Sequence, residues 1–217
     1  MRKALEIGGV VAAVVLVAFG IASIAIGANG RSTVRDTLLE QKIVGTPDMT
    51  PTAIKAEAAK SGLNTSTLAI PSCSAAGKAV NNGSTARCFA QYMKIHALEA
   101  TSGKLYSQMP RYATASGAGT DEAAAALKDS KGQPAENPAR NVWVQETALS
   151  TALNTSYMAE QISLFGIVVG VALLLSGFGF AILSIGGALR NPETALRFLR
   201  PRGRTSAAST KATPVGA

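Results

Sequence analysis

The chain contains few of the residues on which enzyme active sites and metal centres depend. Its 217 residues include one histidine, one tryptophan and two cysteines, and only 16% of them are charged. One histidine and two cysteines at these spacings match no common zinc pattern. The sequence also has no Gly-x-x-x-x-Gly-Lys, His-Glu-x-x-His or Gly-x-Ser-x-Gly motif. We therefore predict no catalytic residue, no cofactor site and no metal site.

Charged residues are absent from two long segments. No Asp, Glu, Lys or Arg occurs at residues 7–30 or at residues 161–189. Both segments are apolar and long enough to cross a bilayer core of about 30 Å as helices. We predict a mainly α membrane protein with transmembrane helices at residues 7–29 and 161–189. A cleaved signal peptide is the alternative for residues 1–28, because Arg2 and Lys3 precede the apolar run.

Basic residues flank both predicted spans on the side of the chain termini. Arg2 and Lys3 precede the first span, and the tail that follows the second span carries Arg190, Arg197, Arg200, Arg202 and Arg204. The positive-inside rule then places residues 1–6 and 190–217 in the cytoplasm and residues 30–160 outside, as one extracytoplasmic domain of a multi-pass plasma-membrane protein. We expect the tail arginines to contact anionic lipid of the inner leaflet, and we expect no nucleic-acid partner.

The two cysteines both lie in the predicted extracytoplasmic domain. Cys73 and Cys88 are 15 positions apart, with Gly77 and Asn81-Asn82-Gly83 between them to turn the chain. An exported pair at this spacing predicts a disulfide, which stabilises a small core by about 3 kcal/mol for a 15-residue loop. A redox thiol pair is the alternative, although no close-spaced Cys-x-x-Cys is present.

Apolar periodicity and capping residues predict helices in the same domain. The first span should resume as a helix at residues 32–43 after a break at Asn29-Gly30. Thr50 and Pro51 should start a short helix that ends at residue 60. Further helices are expected at residues 88–100 and 141–160, and the last should continue into the second span. Asn82-Gly83 could form a hairpin turn, and residues 122–127 could form one helical turn.

An Ala-Leu repeat marks one side of the helix at residues 141–160. Leu149 and Leu153 are four positions apart and therefore lie on the same face. We predict that this face packs against Leu38 of the same chain. An oligomer interface is the alternative.

Small residues in the two spans predict close contact between them. Gly166 and Gly170 form a Gly-x-x-x-Gly pair in the second span, a pattern that lets helix backbones approach. We expect them to pack against Gly8, Gly9 and Ala12 of the first span.

Three runs of sequence resemble a known family. They are Val-Gly-Thr-Pro-Asp-Met-Thr-Pro at residues 44–51, Ala-Arg-Cys-Phe-Ala-Gln-Tyr-Met at residues 86–93, and Asn-Val-Trp at residues 141–143 with the repeat that follows. They are similar to actinobacterial two-span membrane proteins that are often labelled aromatic ring-opening dioxygenase subunits. The resemblance implies the two-span topology. Extradiol cleavage at non-haem iron needs two histidines and a carboxylate, and this chain has one histidine.

Two functions of different classes are consistent with these patterns. The preferred one is a non-enzymatic, membrane-anchored envelope protein whose small disulfide-stapled helical extracytoplasmic domain binds an envelope partner or itself. The alternative is a membrane-bound enzyme or enzyme subunit that uses His96 and Glu99. A cleft that holds His96, Glu99 and a nucleophile within hydrogen-bond reach would favour the enzyme.

Overall fold

A computed structural model describes residues 2–186, and in this part of the chain the regular structure is helical. The four α-helices are α1 (Arg2–Glu40), α2 (Pro51–Lys60), α3 (Gly83–Ala100) and α4 (Pro138–Ile185). One 3-10 turn covers Tyr106–Gln108. Residues 2–186 form no β-strand, and extended segments meet only in isolated bridges such as Val44 with Ala79. The mainly α prediction is confirmed.

The two long helices, α1 and α4, each contain a stretch that is apolar and long enough to cross a membrane. The stretch in α1 lies near the N-terminus, where a signal sequence satisfies the same criterion. α4 runs without interruption from the predicted domain helix into the second apolar segment, as the absence of glycine and proline at residues 141–160 predicted.

α1 is also continuous, so the predicted break at Asn29-Gly30 is wrong. The Thr33 hydroxyl donates a hydrogen bond to the Asn29 carbonyl, 3.0 Å away, within an unbroken helix. Gly30 lies against α4, where a Cβ atom would come within 2.5 Å of Ser163 Oγ. A side chain at this position would therefore have to displace the Ser163 hydroxyl, and Gly30 does not end α1.

The chain divides into two compact units. In the described part of the chain, one unit combines residues 2–23 with residues 169–186, and the other is Ile24–Val168. Within the first unit, a Cβ atom at Gly20 would lie 2.8 Å from the carbonyl oxygen of Gly170. A Cβ at Gly177 would lie 2.8 Å from Val17 Cγ2, whereas a Cβ at Gly8 would have no other atom of residues 2–186 within 4 Å. Gly170 was expected beside Gly8, Gly9 and Ala12, and it lies instead beside Gly20, because antiparallel helices bring the start of one beside the end of the other.

The second unit, Ile24–Val168, contains the main hydrophobic core. All four helices contribute to it, with Leu38 from α1, Ile54 from α2, Tyr92 from α3 and Leu153 from α4. Ile54 and Tyr92 are fully buried. Burial of each large side chain stabilises the fold by about 1.5–3 kcal/mol, so this small unit depends on a few such residues.

Local capping explains where the short helices begin. The Thr50 hydroxyl accepts a hydrogen bond from the Ala53 amide at 3.2 Å, and Pro51 occupies the first turn of α2, as predicted. α3 begins five residues before the predicted start. The Asn82 side chain accepts a hydrogen bond from the Thr85 amide at 2.9 Å, and the Thr85 hydroxyl accepts one from the Asn82 amide. The hairpin prediction at Asn82-Gly83 is therefore wrong, because Asn82 is a helix N-cap.

A long connection joins α3 to α4 and packs around the tryptophan. Trp143 is 6% exposed and lies in a second cluster with Ala97 and Met109. Its indole nitrogen donates a hydrogen bond to the carbonyl of Lys104 at 2.9 Å. The predicted helical turn at residues 122–127 is a single non-helical turn.

Candidate functional site

The disulfide between Cys73 and Cys88 is confirmed and ties the loop before α3 to that helix. The Tyr92 hydroxyl, one turn further along α3, donates a hydrogen bond to the carbonyl of Cys73. Desolvation by burial raises the pKa of this phenol above its ordinary value. The covalent bond and the buried tyrosine therefore fix the same loop at the same place.

The predicted packing leucines lie in the main core. Leu38 is 4% exposed and Leu153 is 2% exposed, and Leu149 packs against the cluster that contains both. In the second predicted span, Gly166 is half-buried and Gly170 is buried.

The single histidine lies between two carboxylates. His96 Nδ1 is 3.0 Å from Glu99 Oε2, on the same helix, and His96 Nε2 is 2.9 Å from Asp48 Oδ2, on the loop before α2. The second contact lies outside hydrogen-bond geometry, which leaves the buried Asp48 Oδ2 without a hydrogen bond.

This arrangement suits a structural role better than a catalytic one. The two carboxylates approach opposite ring nitrogens and do not converge on one point. Among residues 2–186 no group of three His, Cys, Asp or Glu side chains could hold a metal ion. His96 forms its hydrogen bond with Glu99, and no hydroxyl or thiol of the described chain is bonded to the ring. The structure brings the predicted pair together, and its effect is to hold the Asp48 loop on α3.

A second charged junction joins α1, α3 and α4, and sequence reasoning did not find it. Glu160 of α4 accepts a hydrogen bond from the Gly83 amide at 2.6 Å, in the first turn of α3. The same carboxylate lies 3.3 Å from the Arg31 guanidinium of α1. A carboxylate at a helix N-terminus satisfies an amide that has no partner within the helix and interacts favourably with the helix dipole. Glu160 was nevertheless visible as the last charge before the second apolar run.

Beside this junction lies a cleft of about 540 Å³, the Arg31 cleft. Its wall includes Arg31, Arg35, Asn81, Asn82, Ala28 and Ile167, together with Glu160. The wall thus combines polar side chains with apolar residues from the charge-free parts of α1 and α4.

A second open depression, the α3–α4 groove, has a volume of about 670 Å³. Its wall includes Arg87 of α3 and Glu146, Ser150, Thr151, Tyr157 and Met158 of α4. The Arg87 guanidinium lies over the Tyr157 ring, 4.7 Å from its centroid. Glu146 is only 8% exposed, whereas Met158 is 63% exposed. The groove therefore combines an exposed apolar side chain with a buried carboxylate.

The predicted inner-leaflet contacts, Arg190, Arg197, Arg200, Arg202 and Arg204, lie outside the described residues.

These features define a mainly helical protein with two candidate membrane-spanning helices and a disulfide-bonded core. The chain matches no protein-family model, no curated protein and no solved structure.

Proposed function

We propose that the protein is a non-enzymatic envelope protein, held in the plasma membrane by α1 and α4, whose extracytoplasmic domain binds a partner protein in the α3–α4 groove. The length and composition of the two apolar helices support the anchor. The Cys73–Cys88 disulfide supports export, because such bonds persist in oxidising compartments. Both termini lie in the cytoplasm in this proposal.

The observation that carries the binding proposal is the buried carboxylate of Glu146. Its two oxygens accept hydrogen bonds from Ser150 Oγ at 2.6 Å and from Thr147 Oγ1 at 3.5 Å, both on the same helix. No Lys, Arg or His nitrogen of residues 2–186 lies within 4.0 Å of it. A carboxylate removed from water without a cation is costly to the fold. A partner that places a basic side chain in the groove would therefore gain a charge-assisted hydrogen bond there.

The rest of the groove indicates what else the partner must carry. Arg87 stacks on Tyr157, which is eleven residues from Glu146 along α4, or about 16 Å at 1.5 Å per residue. A matching segment places its basic residue at Glu146, an acidic or aromatic residue at Arg87, and apolar side chains against Met158.

The occupant that fits this chemistry is a segment of another envelope protein. A second copy docked groove to groove would present its own α4 and Arg87 of its α3, and that arginine is already stacked on Tyr157. Residues 141–160 contain no Lys or Arg that could pair with Glu146.

The alternative, an enzyme that uses His96 and Glu99, has weaker support. Both ring nitrogens of His96 already face carboxylates of its own chain. A general base needs one of these nitrogens for the proton that it removes.

Site-specific photocrosslinking tests the binding proposal in the cells that express the protein. With p-benzoylphenylalanine at Thr151, in the groove, we expect one adduct heavier than the chain. The same probe at Lys60, exposed on α2, should not give it. Glu146→Gln should reduce the adduct at least fivefold, and the matched surface variant Glu57→Gln should leave it unchanged.

Two results would contradict this proposal. An adduct that forms equally in the Glu146→Gln variant would mean that the carboxylate does not recognise the partner. An adduct of twice the mass of the chain would mean that the groove binds a second copy and not another protein.

Cysteine labelling tests the topology separately. In a chain without Cys73 and Cys88, a membrane-impermeant thiol reagent should label Ser116→Cys and Ser130→Cys in intact cells. It should label Ser206→Cys only after the membrane has been opened. Labelling of Ser206→Cys from outside would overturn the topology.

A further inference from the structure

The Arg31 cleft has a net positive charge that its own residues do not neutralise. Arg31 and Arg35 are four residues apart, so both lie on one face of α1. Glu160 pairs with Arg31, and no carboxylate of the described chain lies within 4.0 Å of Arg35. Two arginines and one glutamate leave the cleft with a charge of +1.

Glu160 also fixes the position of one of these arginines. Its side chain is only 15% exposed, and its carboxylate is bound to the Gly83 amide of α3 as well as to Arg31. The Arg31 guanidinium is therefore oriented before any ligand arrives, which lowers the entropy cost of binding. Arg35 provides further donors beside it.

Amide groups complete the polar wall. Asn82 Nδ2 donates to Asn81 Oδ1 at 2.9 Å, while Asn81 Nδ2 makes no hydrogen bond within residues 2–186. An arginine side chain and a neutral amide are both donors, and an oxyanion with several acceptor oxygens satisfies them together.

Part of the wall is apolar and belongs to the two charge-free segments. Ala28 lies in the run at residues 7–30 and Ile167 in the run at residues 161–189. A free anion gains nothing from such a wall, whereas a lipid places apolar chains beside its headgroup phosphate. The cleft begins where both apolar runs end, which is the level at which a bilayer carries its phosphates if α1 and α4 span it.

We propose that the Arg31 cleft binds the phosphate group of an anionic phospholipid, with Arg35 and Asn81 as phosphate ligands and Arg31 positioned by Glu160. The site is distinct from the α3–α4 groove and goes beyond the proposed function. It shares with that function only the insertion of α1 and α4 in a membrane, which the topology experiment measures independently.

Calorimetric titration of the full-length protein in mild detergent tests the proposal. The five tail arginines are replaced by glutamine in every sample, so that they do not contribute to lipid binding. The three ligands are dihexanoyl phosphatidylglycerol, inorganic phosphate and dihexanoylglycerol, which lacks the phosphate. We expect saturable binding of phosphatidylglycerol only.

Variants of the cleft identify the ligating residues. Arg35→Gln should weaken phosphatidylglycerol binding about tenfold or more, the effect of losing a charged hydrogen-bond donor. Arg35→Lys should recover most of the affinity, because the charge remains. Asn81→Ala should weaken binding severalfold and provides a second test if Arg35→Gln does not fold. Arg111→Gln, an exposed arginine outside the cleft, should have no effect.

Each contrary result has one meaning. Equal affinity of the Arg35→Gln, Asn81→Ala and parent proteins would overturn the site, as would equal binding of dihexanoylglycerol. Equal binding of inorganic phosphate would support a phosphate site and overturn the lipid as its source. Neither outcome depends on Glu146, so the proposed function can fail while this site stands.

Discussion

Glu160 should contribute far more to stability than its ion-pair partner Arg31. Glu160→Gln keeps the size of the side chain and removes its charge, so the contact with Gly83 becomes a neutral hydrogen bond. Arg31→Gln removes the other member of the ion pair and leaves the contact with α3 intact. The two variants therefore separate the helix-terminus contact from the salt bridge.

The expected magnitudes follow from exposure and partners. A hydrogen bond to a charged group contributes about 1.5–3 kcal/mol, against about 1 kcal/mol for a neutral one. An anion at a helix N-terminus adds about 0.3–1 kcal/mol. The Arg31 side chain is 49% exposed, and such ion pairs contribute about 0–1 kcal/mol. We expect Glu160→Gln to cost about 1–2.5 kcal/mol and Arg31→Gln to cost less than about 0.5 kcal/mol.

The single tryptophan allows this difference to be measured in the unit that contains the contact. Trp143 is the only tryptophan and is 6% exposed, so its fluorescence reports unfolding of Ile24–Val168. In guanidinium chloride, a loss of this size should lower the unfolding midpoint by about 0.3–0.7 M for a small unit. Hydrogen exchange of the first turn of α3 should increase in the same variant.

Equal losses in the two variants would refute the reasoning, because they would show that the ion pair and not the α3 terminus is the main partner of Glu160. A Glu160→Gln protein as stable as the parent would show that the Gly83 contact contributes nothing. Glu57→Gln, a change of the same type on exposed α2, serves as the control and should leave the midpoint unchanged.

Three further outcomes are expected. Cys73→Ser and Cys88→Ser should each lower the free energy of unfolding of Ile24–Val168 by about 3 kcal/mol. The double variant should be little less stable than either single variant. Additive losses would mean that the two cysteines are not partners. Gly27→Leu should separate α1 from α4 and lower the resistance of the protein to protease, because a Cβ there would lie 2.5 Å from the Ser163 carbonyl oxygen. Gly8→Leu should leave the protease resistance unchanged. Burial raises the pKa of Tyr92 above 10.0, so the contribution of the neutral phenol to stability should be fully present below pH 10 and should fall as the pH rises towards the raised pKa. Tyr92→Phe should flatten this alkaline dependence when unfolding midpoints are measured from pH 8 to 11.

Features that depend on neighbouring residues were predictable from the sequence. The Thr50-Pro51 start of α2 and the uninterrupted α4 follow from local capping and from the absence of helix breakers. Asn82-Gly83 was misread because the same dipeptide serves a hairpin turn and a helix start, and only the bond from Thr85 decides between them. Gly30 was misread because a helix partner far along the chain explains that glycine.

The charged contacts could not be predicted for a related reason. Asp48 lies on a loop whose path no periodicity determines, so nothing in the sequence relates it to His96. Glu160 is 77 residues from Gly83, and Arg31 is 129 residues from Glu160. The pairing of His96 with Glu99 was accessible because three residues separate them on one helix.

The contact between Glu160 and α3 has a consequence for the order of folding. α3 begins at Gly83, but the carboxylate that completes its first turn is synthesised 77 residues later. The main core is likewise incomplete until Leu153 has been synthesised. Until the ribosome has added this stretch, a nascent chain presents the apolar face of α3, with Phe89 and Tyr92, to water and to other proteins. A chain truncated before residue 160 should therefore fail to complete the core and should be degraded.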